Sequence, residues 1–182
     1  MNFTPFPEIT TERLLLRKLQ ASDCEVILFL RTDKNVTKYI ERPEHRKTKN
    51  ISEAIELIKE FDRYIERNTS IVWGITLKNE ASIIGTICLW NFTQNNNIAE
   101  VGYDLDPRHQ NKGVMSEALK MIVAFGLKEL KLEKIEAFTH AENLPSTKLL
   151  ETHGFIHNVN RKDLDNKSNI IFELENKEMN PQ

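Results

Sequence analysis

The sequence predicts an α/β (α+β) fold, with a mixed central sheet of about seven strands flanked by about four helices. Short apolar runs with strand-like composition recur along the chain, and amphipathic segments with helical spacing stand between them. A strand, a helix and a strand follow one another between residues 98 and 139, which implies a right-handed parallel crossover. At 182 residues the chain suits one domain, 1–182, with its core at about 11–174.

Composition and charge restrict the classes of function. The chain is 40% hydrophobic and 29% charged, which is typical of a soluble globular protein. A formal net charge of −2 gives no broad basic surface, so neither DNA nor a membrane is an expected partner. We find no apolar run of transmembrane length and no signal-peptide pattern, and we expect a cytoplasmic protein. Cys24 and Cys88 stand far apart outside any CxxC pair, which indicates free thiols.

The first half of the chain predicts a strand, a helix, an irregular segment and a long amphipathic helix. The strand combines leucines with charges, as a half-buried edge does, and Ser22 or Asp23 can cap the helix that follows. The irregular segment is polar and broken by Pro43, so we expect a loop with short helical pieces. In the long helix, apolar residues recur every three or four positions. The predicted ranges are 11–17, 24–30, 32–50 and 51–68.

The second half of the chain alternates strands and helices. Two strand-like runs, 71–77 and 83–90, are joined by a short polar linker and predict an antiparallel hairpin. A third strand, Ile98 to Asp106, leads into a polar loop, and a core helix runs from Val114 to about Leu130. A strand, a short helix and two further strands complete the order, at 134–139, 143–152, 155–158 and 169–174.

The polar loop between the third strand and the core helix has the character of an anion site. A helix that begins directly after Gly113 leaves several backbone N–H groups free to point into the loop. These amides and the positive end of the helix dipole suit a phosphate, and Arg108 and Lys112 add positive charge. Neither the Walker nor the Rossmann glycine spacing is present. We therefore expect a phosphate site of a kind other than the Walker or Rossmann loop. The alternative is an ordinary strand-to-helix turn.

The loop Arg108–Gly113 resembles the Arg/Gln-x-x-Gly-x-Gly/Ala acetyl-CoA pyrophosphate loop of the GNAT N-acetyltransferases. Asn111 stands where that family usually has its first glycine, but asparagine enters the left-handed region readily, so the turn can form. The element order from Thr11 to about Leu174 is also the GNAT order. The sequence is therefore identified as a member of this superfamily. Three further segments resemble its RimJ/RimL-like (ribosomal-protein-alanine/serine acetyltransferase-like) branch: Thr11–Leu14, Ala99–Tyr103 and Glu142–Phe155.

The resemblance implies an acetyl-CoA-dependent N-acetyltransferase, in which a primary amine attacks the thioester directly. It favours a protein N-terminal amine, such as that of a ribosomal protein, although relatives also acetylate small amines such as antibiotics, polyamines or amino acids. A non-catalytic acyl-CoA-binding module is the alternative from another class. Acetyl-CoA is the expected co-substrate and no metal is expected. Relatives include monomers and dimers, so a homodimer stays open.

The resemblance also implies where acetyl-CoA lies. In the family, the strands that carry Glu100 and Phe138 splay apart, and the pantetheine arm lies between them. Backbone groups near Leu105 are expected to bind the pantetheine amides, and the loop is expected to wrap the pyrophosphate. Asn143 matches the asparagine that contacts the cofactor arm, and it could also cap the helix that it opens. The expected cofactor-binding residues are Leu105, Arg108, Gln110, Asn111, Lys112, Gly113, Val114, Met115 and Asn143.

Two residues are candidates for proton transfer. Glu100, on the strand that borders the thioester, is the candidate base; water in its place, or a surface or salt-bridged glutamate, is the alternative. Many GNAT enzymes protonate the thiolate with a tyrosine four residues before a Gly-Phe pair, and that position is Leu150 here. In the RimJ/RimL branch the serine of an Asn-x-x-Ser motif is the proposed substitute, which is Ser146. Its hydroxyl could instead satisfy the start of the helix.

Overall fold

The computed structural model describes residues 1–44 and 47–177. Within these ranges an eight-stranded mixed sheet is accompanied by five α-helices, which confirms the α/β class with one strand and one helix more than predicted. The strands are β1 (Ile9–Thr10), β2 (Leu14–Arg17), β3 (Ile71–Leu77), β4 (Ile83–Trp90), β5 (Ile98–Leu105), β6 (Lys134–His140), β7 (Ile156–His157) and β8 (Asn169–Glu175). The helices are α1 (Cys24–Thr32), α2 (Lys34–Thr37), α3 (Ile51–Glu66), α4 (Val114–Ala124) and α5 (Leu144–Thr152).

The sheet has the strand order β1-β2-β3-β4-β5-β6-β8-β7. Among the described strands, β5 and β6 form the one parallel pair, and this confirms the predicted crossover through α4. The parallel pairing covers only Ile98–Glu100 and Lys134–Glu136. Beyond Glu100, β5 pairs with β4 alone and β6 pairs with β8 alone. The sheet is therefore open between the carboxyl-terminal parts of β5 and β6.

Helices cover both faces of the sheet. The larger hydrophobic core contains α4 residues such as Leu119 and also Leu150 of α5, whereas the smaller core contains Ile27 of α1 and Ile58 of α3. Alternate residues of β5 point to opposite faces, because a strand has a side-chain period of two. Ala99, Val101 and Leu105 belong to the larger core, so Tyr103 shares the α4/α5 face. Glu100, Gly102 and Asp104 consequently face the side of α1 and α3.

Two details near the amino terminus differ from the prediction. The predicted strand 11–17 is interrupted, because the Thr11 hydroxyl accepts a hydrogen bond from the Leu14 amide (2.8 Å) and turns the chain between β1 and β2. Asp23 precedes α1 but makes no capping hydrogen bond with its side chain. Its carboxylate instead accepts from the Gln20 amide (2.8 Å) and pairs with Arg17 (2.8 Å). Asp23 thus forms a capping box with Gln20 around the 3-10 turn Ala21–Asp23 and does not cap α1.

The described residues also lack features of membrane-spanning, metal-binding and disulfide-bonded proteins. No helix there is long and apolar enough to cross a bilayer. No group of three or more His, Cys, Asp or Glu side chains in these residues could hold a metal ion. Cys24 and Cys88 are both free thiols, as the sequence predicts.

Candidate active site

The opening between β5 and β6 provides an unpaired strand edge. From Val101 to Leu105, the backbone of β5 is hydrogen-bonded to β4 on one side and has no described strand on the other. Such an edge can accept an extended, amide-containing arm by strand addition. It leads directly into the loop at the start of α4, so the edge and the predicted anion site are continuous.

The loop before α4 holds a row of free backbone donors. Asn111 has φ of 57° and Gly113 has φ of 76°, and both lie in the left-handed region. The first amide of α4 with a carbonyl partner is that of Glu117, which donates to Gly113 (3.0 Å). Among the described residues, the amides of 111–116 donate no hydrogen bond. Free amides at the positive end of a helix form an anion site.

The polar side chains of the loop are partly committed to local partners. Arg108 forms a bidentate pair with Asp106, in which Nη2 donates to Oδ2 (2.6 Å) and Nε donates to Oδ1 (3.1 Å); although burial acts against it, this pair holds the pKa of Asp106 below its usual range. The Arg108 side chain is still 80% exposed. Gln110 donates its side-chain amide to the Leu105 carbonyl (3.2 Å). The structure therefore brings the predicted residues from Leu105 to Met115 together, and Arg108 remains accessible to a ligand.

A clamp that the sequence analysis did not identify holds this loop in place. Arg13 donates to the Glu117 carboxylate (2.7 Å) and to the Lys112 carbonyl (3.0 Å), and the Thr11 hydroxyl also contacts Glu117. Burial raises the pKa of Glu117, but the hydrogen bonds from Thr11 and Arg13 outweigh it and lower the pKa overall. The sequence signal for this clamp was the resemblance of Thr11–Leu14 to the RimJ/RimL-like branch. In the structure, the turn between β1 and β2 positions the start of α4.

Glu100 lines a cavity of about 450 Å³ beside the paired residues of β5 and β6, together with Asn91, Glu136 and Arg161. Burial raises the pKa of Glu100 to about 7; a hydrogen bond with Asn91 opposes this, and the charges of Asp163 and Glu136 add to it. Glu100 forms no ion pair with any residue in the described part of the chain. A carboxyl group that titrates near neutral pH can take up and release a proton there.

Ser146 and Tyr103 bridge the opening on the other face. The Ser146 hydroxyl lies 2.9 Å from the Tyr103 hydroxyl, which joins α5 to β5. Burial raises the pKa of Tyr103 to about 12, so its phenol is neutral and can donate a proton or a hydrogen bond. Asn143 caps α5, with its side-chain oxygen accepting from the Ser146 amide (3.3 Å). Leu150 is fully buried in the core. Tyr103 was not predicted as a site residue, although it lies on the segment Ala99–Tyr103 that resembles the RimJ/RimL branch.

Comparison with known proteins places this geometry in a family. The family model described as "Acetyltransferase (GNAT) domain" matches residues 13–156. This chain belongs to the GNAT family. Among its relatives, the uncharacterized N-acetyltransferase YoaA of Bacillus subtilis (strain 168) is 33% identical over 152 residues, which cover 82% of this chain and 83% of YoaA. The chain is therefore a GNAT acetyltransferase, and both the predicted resemblance and the predicted enzyme class are confirmed.

Solved structures share the GNAT fold at low sequence identity. The ribosomal-protein-S5-alanine acetyltransferase of Vibrio fischeri has a TM-score of 0.80 at 23% identity, over 96% of this chain and all of that one (100%). RimL, a ribosomal L7/L12 alpha-N-protein acetyltransferase solved with coenzyme A, has a TM-score of 0.78 at 15% identity, over 93% and 98% of the two chains. The neighbours of this GNAT acetyltransferase thus include the RimJ/RimL-like enzymes that its sequence resembles.

Proposed function

We propose that this GNAT acetyltransferase binds acetyl-CoA in the opening between β5 and β6 and transfers the acetyl group to a primary amine. The observation that carries the proposal is the continuity of the open β5 edge with the free amides of residues 111–116. The edge fits an extended pantetheine arm, and the amides at its end fit a pyrophosphate. On this proposal the arm lies along Leu105 and near Asn143, and the loop from Arg108 to Met115 holds the pyrophosphate.

The two faces of β5 divide the proton transfers. We propose that Glu100 takes a proton from the incoming ammonium group, directly or through water, and so supplies the neutral amine that attacks the thioester carbonyl. Ser146, with Tyr103 behind it, gives a proton to the departing thiolate on the opposite face. The base and the acid then stand on opposite sides of the opening, and the amine and the thiol do not compete for one group. Fixed positioning of the two substrates adds to the rate.

We propose a protein N-terminal amine as the acceptor. The support is the identity of the structural neighbours, which include a ribosomal-protein-S5-alanine acetyltransferase and a ribosomal alpha-N-protein acetyltransferase. A small-molecule amine is the alternative, because the fold alone does not determine the acceptor. Acceptor screens with N-terminal peptides and with small amines, read out as free thiol release from acetyl-CoA, distinguish the two.

Calorimetric titration with acetyl-CoA, and with ATP as the control ligand, tests the cofactor site. We expect binding that is selective for acetyl-CoA and that Gly113→Glu weakens by about tenfold or more, because the added carboxylate repels the pyrophosphate. Gly113→Ala is the matched control, since it imposes the same left-handed strain at φ of 76° without the charge. Equal affinity for ATP, or equal affinity of the two variants for acetyl-CoA, would overturn the loop assignment. Absence of thiol release with every amine would overturn the transfer reaction.

A further inference from the structure

Two arginines converge on one buried carboxylate on the Glu100 face of β5. Arg31 of α1 and Arg42, in the segment after α2, lie 3.8 and 3.5 Å from the same oxygen of Asp104. The side chains of both arginines are 16% exposed, and that of Asp104 is 4% exposed. The group carries one excess positive charge in a largely buried position. An unmatched buried charge is costly unless a further anion balances it.

The hydrogen-bonding capacity of these arginines is largely unused. A guanidinium group has five N–H donors, and charge-assisted bonds to carboxylates are normally about 2.7–2.9 Å long. Both distances to Asp104 exceed that range, and neither guanidinium donates a hydrogen bond to any other residue in 1–44 or 47–177. Asp104 itself is held by the Thr86 hydroxyl, which donates to its other oxygen (2.6 Å). Arg31 and Arg42 thus have donors to offer to a ligand.

The arginines share their compartment with the proposed base. Glu100, Gly102 and Asp104 follow one another on the same face of β5, about 13 Å from first to last along the strand. Between the two carboxylates Gly102 has no side chain, and the Cys88 sulfur and the Trp90 indole lie close to it, at 3.2 and 3.7 Å from the position that a Cβ would take. The pKa of the Cys88 thiol is raised, chiefly by burial, and also responds to the charges of Asp104, Arg31 and Glu100. The thiol is therefore neutral, and these charged groups surround one region.

The segment that carries Arg42 spans the opening on this face. The Tyr39 ring packs at a tilt of 35° against His140 at the end of β6, with ring centroids 5.4 Å apart, and Glu41 accepts a hydrogen bond from Asn166 (3.2 Å). Arg42 then reaches back to Asp104 on β5. Residues 39–42 therefore bridge β5 and β6 on the face that carries Glu100. With acetyl-CoA entering from the α4/α5 side, the acceptor amine approaches from this face.

We propose that Arg31 and Arg42 bind a carboxylate of the acceptor, so that the enzyme acetylates amines that also carry a carboxylate. The proposal rests on the proposed acetyl transfer and specifies its acceptor. One excess positive charge matches one carboxylate, and two guanidinium groups can bind its two oxygens. With the amine at Glu100, the carboxylate lies on the order of 10 Å away, which is about three residues of an extended peptide. Cationic amines without a carboxylate, such as polyamines, are disfavoured by the same charge.

Matched acceptors separate this subsite from general amine binding. The first pair is a C-terminally amidated peptide with a free N-terminal amine and glutamate at its fourth position, and the same peptide with glutamine there. The second pair is 8-aminooctanoate and octylamine, which present the same contrast in a small molecule. We expect the carboxylate member of at least one pair to have a kcat/KM about tenfold higher, mainly through KM. Which pair responds tells whether the carboxylate comes from a peptide side chain or from a small amino acid.

Variants of the arginine show whether the preference arises at this subsite. Arg42→Gln should lower kcat/KM for the preferred carboxylate acceptor by about tenfold and leave its neutral partner within about twofold. Arg42→Lys should restore part of the preference, and Arg63→Gln, on the exposed side of α3, should leave both acceptors unchanged. An equal loss for both members of a pair would mean that Arg42 only stabilises the fold and would overturn the proposal. Equal kcat/KM for both members of each pair in the wild-type enzyme would overturn it as well.

A binding measurement keeps the subsite distinct from catalysis. The wild-type protein and Arg42→Gln, each saturated with coenzyme A, are titrated in a calorimeter with the glutamate-containing peptide and with 8-aminooctanoate. Weaker binding to Arg42→Gln supports the subsite whether or not any amine is turned over. Absence of turnover would overturn only the proposed acetyl transfer. Equal binding by the two proteins would overturn the carboxylate subsite and leave the transfer reaction intact.

Discussion

Glu100→Gln should make the protein more stable above pH 7 and leave its stability almost unchanged at pH 4. Burial raises the folded-state pKa of Glu100 to about 7 from an ordinary value of 4.5. Between these two values the folded protein keeps a proton that the unfolded chain has released, so the free energy of unfolding falls as pH rises. The gap of about 2.5 corresponds to about 3 kcal/mol, at about 1.4 kcal/mol per pKa unit. Glutamine stays neutral and does not carry this cost.

Urea unfolding of both proteins between pH 4 and pH 8.5 measures the effect. We expect the difference in unfolding free energy, variant minus wild type, to grow from near zero at pH 4 to a plateau above pH 7. Glu173→Gln is the opposite control: burial raises the pKa of Glu173, but Arg161 and neighbouring groups lower it overall. That variant should be less stable than wild type by a constant amount above about pH 4.5, and the deficit should shrink only as pH falls below 4.5. A flat difference for Glu100→Gln would refute the raised pKa and, with it, the reason for choosing Glu100 as the base.

Three other predictions concern the cofactor loop and the proton donor. Asn111→Gly should keep the affinity for acetyl-CoA within about twofold, since Asn111 already has a positive φ. Asn111→Val should weaken the affinity by about tenfold. Equal affinities of the two variants in calorimetry would contradict the role of the turn at residue 111. Arg13→Met should raise the KM for acetyl-CoA by about tenfold, because it releases the start of α4. Lys59→Met, which breaks a surface ion pair, should leave the KM unchanged. Equal KM values for the two variants would contradict the role of Arg13 in holding the loop. Ser146→Ala should lower kcat at saturating acetyl-CoA by more than about threefold and Tyr103→Phe by less, and a change below about threefold for Ser146→Ala would remove it from the mechanism.

The regular elements follow closely from local sequence. The structure places β3 and β4 at the predicted residues, because each is a mainly apolar run, rich in β-branched residues, that is bounded by polar residues. The predicted strand 11–17 fails at Thr11, whose hydroxyl accepts from the Leu14 amide (2.8 Å) and also contacts Glu117, which lies 106 residues away. Local periodicity contains no information about such a contact. The predicted turn at Asn111 succeeds for the opposite reason, since the tendency of asparagine to adopt positive φ is a property of the residue itself.

The candidate site divides in the same way. The sequence indicates the anion loop and Glu100, because a strand, a loop with glycine and a helix in succession are local features. It does not indicate that Tyr103 meets Ser146, 43 residues later, or that Arg31 and Arg42 meet at Asp104. These pairings depend on which face of β5 each residue occupies and on how far the sheet opens. Both properties are set by tertiary packing.

The open edge and the anion loop are two consequences of one structural feature. Among the described strands, only β5 and β6 run parallel, so only there do two neighbouring strands point their carboxyl ends to the same side of the sheet. The crossover helix α4 begins at that side, and its free amides therefore face the opening. The period of two along β5 then separates Glu100 from Tyr103 across the sheet. A one-residue insertion between Glu100 and Tyr103 would place both side chains on the same face, and it should abolish transfer even where the fold and the affinity for acetyl-CoA are retained.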